Sequence, residues 1–245
     1  MSEIEHDAPQ ADPVDPEIAT PVADSLAAAR EAILERIADH VVFDGWSPAA
    51  IEAAAAEAGV PAETARLAFP RGVDAAMGFH LRGDRRLAAA LASEPQGGVG
   101  MTDRITRAVR LRLELAEPDR EAVRRAASLF ALPVNAGHGA RMVWNTADTI
   151  WTALGDGSED LNWYTKRATL AGVVSAVTLY WLGDESEGRA DTWAHLDRRI
   201  ADVMRIEKAK AAVRRNPLGK LAMTGFDRLT SGVRAPRRAP HGAGV

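Results

Sequence analysis

Apolar side chains recur every three or four residues through almost the whole chain between residues 25 and 212. This period is typical of amphipathic α-helices, whereas a strand with one buried face alternates with a period of two. The pattern therefore predicts an all-α fold. The expected helices cover residues 24–40, 47–57, a short stretch after Pro61, and then 72–92, 102–116, 119–131, 136–154, 162–182, 190–212 and 218–233.

The first three predicted helices have the form of a helix-turn-helix, and their spacing resembles the N-terminal domain of TetR-type repressors. Ser47-Pro48 is a typical helix start, and Gly59 marks the turn that follows. A DNA reader needs lysines and arginines to contact phosphates. Between Ser47 and Phe69, however, Arg66 is the one basic residue against three glutamates. We therefore favour a structural role for this motif over a DNA-binding one.

The distribution of charge divides the chain further. Residues 1–24 carry seven acids, four prolines and no Lys or Arg, which predicts a disordered acidic leader. The segment from Arg205 to Val245 instead has ten basic residues against two acids. We expect a helix-turn-helix domain at 25–94, a helical ligand-binding domain at 101–212, an amphipathic helix at 217–233 and a basic disordered tail at 234–245.

The sequence lacks the residues that several functional classes require. The chain has no cysteine, which excludes disulfide scaffolds, thiol catalysis and cysteine-ligated metal sites. The six histidines are scattered, and no phosphate-binding loop, nucleophile elbow or zinc-protease motif occurs. We therefore expect no catalytic residue, no metal site and no cofactor. With no secretory or mitochondrial leader and no bilayer-length apolar run, we expect a cytoplasmic bacterial protein.

Aromatic residues concentrate in three of the predicted helices. Seven of the thirteen Phe, Trp and Tyr residues lie between residues 144 and 193. Stripes at this spacing fit a packed helical core, but they also fit an apolar cavity for a long hydrocarbon ligand. Spacing alone favours the core and leaves the cavity open. The lipid-binding candidates are Trp144, Ile150, Trp151, Leu154, Leu170, Val173, Val174, Val177, Tyr180, Trp181 and Trp193.

The predicted last helix has an apolar arc and basic flanks. A basic amphipathic helix can lie in a membrane interface, or it can dock on the bundle as a terminal helix. Both interpretations stay open. On the first, the membrane-binding residues are Leu218, Leu221, Phe226 and Leu229 with Lys220 and Arg228.

Several motifs together resemble the ninth coenzyme Q (ubiquinone) biosynthesis protein family. They are FDGW at 43–46, AFPRG at 68–72, DLNWYTKR at 160–167, DTW at 191–193, LDRRI at 196–200 and VMR at 203–205. The resemblance implies a TetR-like fold without a DNA role, a lipid-binding cavity and a membrane-associated terminal helix. It also implies that the protein presents isoprenoid quinone precursors to a ring hydroxylase, the di-iron demethoxyubiquinone enzyme where one exists. The family's partner surface corresponds here to Trp163, Tyr164 and Arg167.

These observations and the resemblance lead to two hypotheses of function, which belong to different classes. The first is a non-enzymatic lipid-binding accessory protein of ubiquinone biosynthesis, peripherally associated with the anionic surface of the inner membrane. The alternative is a ligand-responsive TetR-type transcriptional regulator; an enzyme with a bound cofactor is a weaker third. As in TetR-like folds, we expect a homodimer formed through the helices at 162–182 and 190–212.

Overall fold

The computed structural model describes residues 16–94, 98, 100–158 and 161–215, and within these ranges it describes the side chains of residues 24–205. This part of the chain contains nine α-helices and no strand, so the predicted all-α fold is confirmed. The helices are α1 (Pro16–Asp44), α2 (Pro48–Glu57), α3 (Ala62–Ala68), α4 (Gly72–Ser93), α5 (Met101–Glu114), α6 (Arg120–Ala131), α7 (Ala136–Ala153), α8 (Leu161–Gly183) and α9 (Ala190–Arg215). Within the described ranges, no helix combines the length and the hydropathy that crossing a bilayer requires.

Helix α1 differs most from its predicted bounds. It begins at Pro16, eight residues before the expected start and inside the segment that we predicted to be a disordered leader. Proline and glutamate at positions 16 and 17 suit a first helical turn, because that turn leaves its N–H groups unpaired and attracts negative charge. Helix α9 runs to Arg215, three residues beyond the predicted end. Arg215 is also the last residue that the structure describes.

Three expectations concern parts of the chain outside the described residues. They are residues 1–15 of the leader, the amphipathic helix at 217–233 and the basic tail at 234–245. The six membrane-binding candidates all lie in the second of these: Leu218, Lys220, Leu221, Phe226, Arg228 and Leu229.

The described chain forms two compact units, one ending at Ala75 and the other beginning at Ala76. In the first unit, α1, α2 and α3 pack around buried Ile33, Ile37 and Ile51. The Ser47 hydroxyl caps α2 by accepting a hydrogen bond from the Ala50 N–H at 3.2 Å. Gly72, where α4 begins, must be a glycine because a Cβ there would lie 1.8 Å from the Trp46 carbonyl oxygen.

The second unit contains the larger apolar core. Its interior is filled by side chains from α4, α5, α7, α8 and α9, with Trp181, Ile150, Val177 and Leu196 among the most deeply buried. The chain passes from the first unit to the second after Ala75, inside α4, whereas the domain boundary was predicted at residue 94. The reason is that the C-terminal half of α4 contributes Leu87 to the second core, so it packs with the helices that follow.

Candidate functional site

A cavity of about 560 Å³ lies within the second unit, between helices α4, α5, α6, α7 and α8. Its wall is mostly small and apolar. Ala126 and Ala127 on α6, Ala140 on α7 and Ala171 on α8 all face it. Helices that present alanines to one another leave space that larger side chains would fill. A cavity of this volume is typical of sites for small organic ligands.

Exposed apolar side chains occur on the cavity lining and next to it in the sequence. Leu179 on α8 lines the cavity and is 65% exposed to solvent. The short loop between α6 and α7 follows the lining residue Ala131, and its Leu132 and Val134 are 49% and 83% exposed. Exposed large apolar side chains that form a contiguous patch are typical of a surface that receives an apolar ligand or a membrane.

One wall of the cavity is polar. His80 on α4 and Thr146 on α7 both line it, and His80 Nε2 lies 2.8 Å from Thr146 Oγ1. Behind them is Asp84, which is 2% exposed and accepts hydrogen bonds from Arg112, Asn145 and Thr146 at 2.9 to 3.0 Å. Burial, with a smaller effect of the Arg112 charge, lowers the pKa of His80 to about 4 despite the nearby Asp84 carboxylate. The imidazole is therefore neutral near pH 7.

The structure separates the eleven lipid-binding candidates into three groups. Trp144, Val174 and Trp181 line the cavity. Six others fill the adjacent core and do not contact the cavity: Ile150, Trp151, Leu154, Leu170, Val173 and Val177. The remaining two, Tyr180 and Trp193, lie elsewhere on the unit.

Those two residues have other partners. The ring of Tyr180 stacks on His195 at 4.4 Å between centroids and is 39% exposed. Trp193 packs against the core, and the Arg110 guanidinium lies 4.6 Å from its ring centroid. Some members of the set therefore line a cavity and others pack in the core, and lipid binding by any of them stays a prediction.

Sequence reasoning missed several cavity residues. Phe79, Phe130 and the polar pair His80 and Thr146 were not among the candidates. The small-residue stripe on α7, with Ala136, Gly139, Ala140 and Val143 at helical spacing, was the available signal, because such a stripe indicates a face that no large side chain fills. No local pattern joins His80 to Thr146, which lie 66 residues apart.

Trp163 and Tyr164 form an aromatic cluster with Trp144. Their rings meet edge to face with centroids 4.8 Å apart, and the ring of Trp144 lies 6.0 Å from Trp163 and 6.4 Å from Tyr164. Both are partly exposed, so they are accessible at the surface. We call these three residues the aromatic cluster.

Arg167 does not lie on the surface with them. Its side chain is completely buried, so its assignment to a partner-contacting surface is wrong. It bonds Asp148 at 2.5 Å and Asp156 at 3.0 Å, donates to the Trp163 carbonyl, and lies 4.0 Å from the Trp163 ring centroid. Burial raises the pKa of Asp156, but hydrogen bonds from Lys166, Ser158 and Arg167 outweigh it and lower that pKa to about 2. Arg167 thus holds Trp163 in position from the buried side of α8.

Two other kinds of site lack support in the described residues. No three His, Asp or Glu side chains there come close enough to hold a metal ion together.

In the helix-turn-helix unit, Arg66 on α3 pairs with Glu52 at 3.3 Å, and Arg36 pairs with Glu57 at 2.9 Å. An arginine that neutralises a neighbouring carboxylate attracts phosphates less than one without such a partner.

Comparison with known proteins bears directly on this unit. Residues 136–207, which form α7, α8 and most of α9, match the model of the COQ9 family. The predicted family resemblance is confirmed. The chain is 34% identical over 180 residues to "Ubiquinone biosynthesis protein COQ9, mitochondrial" of Rattus norvegicus, which is 71% of this chain and 56% of that protein. The proteins of the same name from Drosophila melanogaster and Homo sapiens are 32% and 31% identical, over 74% and 70% of this chain.

The chain spans 56% of the length of each of these three COQ9 proteins. Among solved structures, a TetR transcriptional regulator from Nitrosomonas europaea ATCC 19718 superimposes with a TM-score of 0.56 at 20% identity, covering 70% of this chain and 95% of that one. At this identity the likeness concerns the fold alone, and it confirms the predicted TetR-like architecture.

Proposed function

We propose that the protein is a non-enzymatic accessory protein of ubiquinone biosynthesis that binds an isoprenoid quinone precursor in the cavity and presents it to a ring hydroxylase. The observation that carries this proposal is the position of Trp144, which lines the cavity and also belongs to the aromatic cluster. A ligand in the cavity and a partner on the surface would contact the same side chain.

The chemistry of the cavity suits a carrier. A polyprenyl chain gains about 0.8 kcal/mol for each CH2 that leaves water, so it does not leave a bilayer unaided. The small apolar lining, which includes the exposed Leu179, provides the environment that such a chain needs. The Thr146 hydroxyl on the polar wall lies beside His80, but it is 1% exposed and already donates a hydrogen bond to the Asp84 carboxylate. These features support binding without chemistry.

The names of the COQ9 relatives support a role in ubiquinone biosynthesis. Each is called a ubiquinone biosynthesis protein, and the matched segment includes α7 and α8, which supply the aromatic cluster and two walls of the cavity. The regulator alternative has weaker support, because Arg36 and Arg66 of the helix-turn-helix unit are paired with glutamates.

The test begins with the purified full chain, expressed in a ubiquinone-producing host. Mass spectrometry of the co-purified lipid should find an isoprenoid phenol or quinone. Ser175, which lines the cavity on α8, provides the matching variant, because Ser175→Phe fills space that the ligand needs. Ala89→Phe, at an exposed position of α4, is the control.

We expect Ser175→Phe to remove most of the bound lipid, and Ala89→Phe to retain it. In a strain whose own gene is deleted, Ser175→Phe should fail to restore ubiquinone, whereas Ala89→Phe should restore it. Protein without any extractable isoprenoid, together with normal ubiquinone in the deletion strain, would refute the proposal.

A further inference from the structure

Trp181 lines the cavity, but its polar atom points away from the cavity. The side chain lies near the C-terminal end of α8 and is completely buried. Its indole Nε1–H donates a hydrogen bond to Glu117 Oε2 at 2.7 Å. Glu117 follows the lining residue Ala116 in the sequence, but it does not itself line the cavity. A buried indole N–H needs an acceptor, and this acceptor lies outside the cavity.

The Glu117 carboxylate has a second partner that fixes its position. Its Oε1 accepts hydrogen bonds from Nη2 and Nε of Arg189, at 2.6 and 3.1 Å. Burial raises the pKa of Glu117, but the hydrogen bonds from Arg189 and Trp181 outweigh this effect, so the pKa lies below its ordinary value. The acceptor of the indole N–H is therefore an ionised carboxylate near pH 7.

The backbone of Arg189 is strained. Among the described residues it is the one residue other than glycine with a positive φ, of 60°. A side chain disfavours this conformation, which persists where the surrounding contacts enforce it. The contacts here are the two hydrogen bonds to Glu117 and one from Arg189 Nη1 to the Asp184 carbonyl oxygen at 2.6 Å. These bonds keep the guanidinium beside the Glu117 carboxylate.

Arg120 holds the same tryptophan through its backbone. Its Nη2 donates to the carbonyl oxygens of Trp181 and Asp184 at 2.7 and 2.6 Å, and its guanidinium carbon lies 5.6 Å from the centroid of the indole ring. Arg120 does not line the cavity either. The polar atoms of Trp181 are thus bonded to residues outside the cavity, so the indole presents carbon atoms to the space inside.

We infer that Glu117 is a positioning residue of the cavity, which holds the Trp181 indole N–H outside and so makes this part of the wall selective for hydrocarbon. The inference rests on the proposed function and adds the residue that keeps this wall apolar. If the acceptor at position 117 is removed, the indole N–H bonds a water molecule in the cavity, because an unpaired buried N–H is costly. A hydrocarbon ligand must displace that water, whereas the oxygen of a hydroxylated ligand can replace it as the acceptor.

Isothermal titration calorimetry on the full chain with two ligands tests the inference. They are farnesene, which has no oxygen, and farnesol, which has one hydroxyl group, each delivered from a cyclodextrin complex. We expect Glu117→Leu to weaken binding of farnesene about tenfold, the range of one lost hydrogen bond, and binding of farnesol less than threefold. A general loosening of the fold would weaken both equally. Glu121→Leu is the matched control, because Glu121 is paired with Arg124 and Arg125 and does not line the cavity. It should leave binding of both compounds unchanged.

Two further variants separate the bond to the indole from the ion pair. Arg189→Met removes the cation but leaves the Glu117 carboxylate to accept from the indole, so binding of farnesene should stay within threefold. Trp181→Phe has no N–H to hold, so adding Glu117→Leu in that background should weaken farnesene no further. The result for Arg189→Met tests the inference even if Glu117→Leu fails to fold.

The outcomes separate the two proposals. Binding of farnesene by the unsubstituted protein supports the proposed function. The inference alone is overturned if Glu117→Leu leaves farnesene binding unchanged or weakens farnesol as much, if its effect persists in the Trp181→Phe background, or if Arg189→Met weakens farnesene tenfold. If the unsubstituted protein binds neither compound, the proposed function fails and the inference fails with it.

Discussion

The indole ring of Trp144 lies 6.0 Å from that of Trp163, measured between centroids. Trp144 is part of the cavity wall, and Trp163 is partly exposed in the aromatic cluster. A single side chain thus separates the space where we expect the ligand from the surface where we expect the partner. The two functions of a carrier, holding and presenting, should therefore depend on one residue.

Trp144→Ala should weaken both functions. Removing the indole opens the cavity wall and deprives Trp163 of a packing partner, so we expect about a tenfold loss of affinity for an isoprenoid phenol. In a pull-down assay, the immobilised variant should also retain less of the ring hydroxylase than the unsubstituted protein does. Trp193→Ala is the control, because Trp193 does not line the cavity. Unchanged ligand binding by Trp144→Ala would show that the shared wall has no role.

Arg167→Met should destabilise the fold severely. The buried guanidinium neutralises Asp148 and Asp156, and removing it leaves the Asp156 carboxylate with the Lys166 cation alone. Loss of one partner from a buried ion pair typically costs about 3 to 5 kcal/mol in the free energy of unfolding. Urea denaturation followed by circular dichroism measures this cost.

The exposed ion pair of Arg205 with Asp202 gives the matched comparison. Arg205 is 78% exposed, so Arg205→Met should change stability by less than about 0.5 kcal/mol. Equal effects of the two substitutions would contradict the structural role that we assign to Arg167.

Stability should fall as the pH drops from about 6.5 towards 4. The pKa of His80 is about 4 in the folded protein, below its ordinary value of 6.5. Between these values the unfolded chain binds a proton that the folded chain does not, so acidification favours unfolding. The loss attributable to His80 is up to about 3 kcal/mol by pH 4. Arg112 and Asp84 are the charged groups facing the imidazole.

His80→Gln isolates this effect. The pKa of His195 is also lowered by burial, so part of the acid sensitivity comes from another histidine. We therefore expect the stability difference between the unsubstituted protein and His80→Gln to change over this pH range, as measured by urea denaturation at several pH values. A constant difference would mean that His80 titrates normally.

The helix-turn-helix unit should not retain DNA. In the first unit Arg66 and Arg36 are paired with glutamates, and α3 also carries exposed Glu63. In a mobility-shift assay on genomic fragments at ~100 mM salt, we expect no retention. A TetR-type repressor with its operator is the positive control. Retention comparable to that control would favour the regulator alternative.

We expect the protein to form a homodimer through α8 and α9. Tyr180 and Met204 on these helices are exposed in the chain, at 39% and 37%, and Tyr180 stacks on His195. Light scattering should give twice the chain mass of 26.2 kDa. Tyr180→Asp, which puts a charge on this face, should shift the protein towards the monomer, whereas Phe43→Asp, at an exposed position of α1, should not. A monomer at high concentration would contradict this prediction.

The sequence by itself determined the helices and the resemblance to the COQ9 family. Ser47-Pro48 and the apolar period along α7 and α8 are local signals, because a helix forms through contacts three and four residues apart. The bounds of α2, α6, α7 and α8 accordingly lie within one residue or so of their predicted positions. The motif around Trp163 and Tyr164 was specific enough to indicate the COQ9 resemblance without any tertiary information.

Only the tertiary structure decided which face of α8 meets the cavity. Two stripes on this helix have helical spacing: Leu170, Val173 and Val177, which fill the core, and Ala171, Val174 and Thr178, which line the cavity. Spacing cannot distinguish them, because the choice depends on which other helix packs against each stripe. For the same reason the burial of Arg167 and the meeting of His80 with Thr146 follow from contacts between distant segments, and no local pattern encodes those contacts.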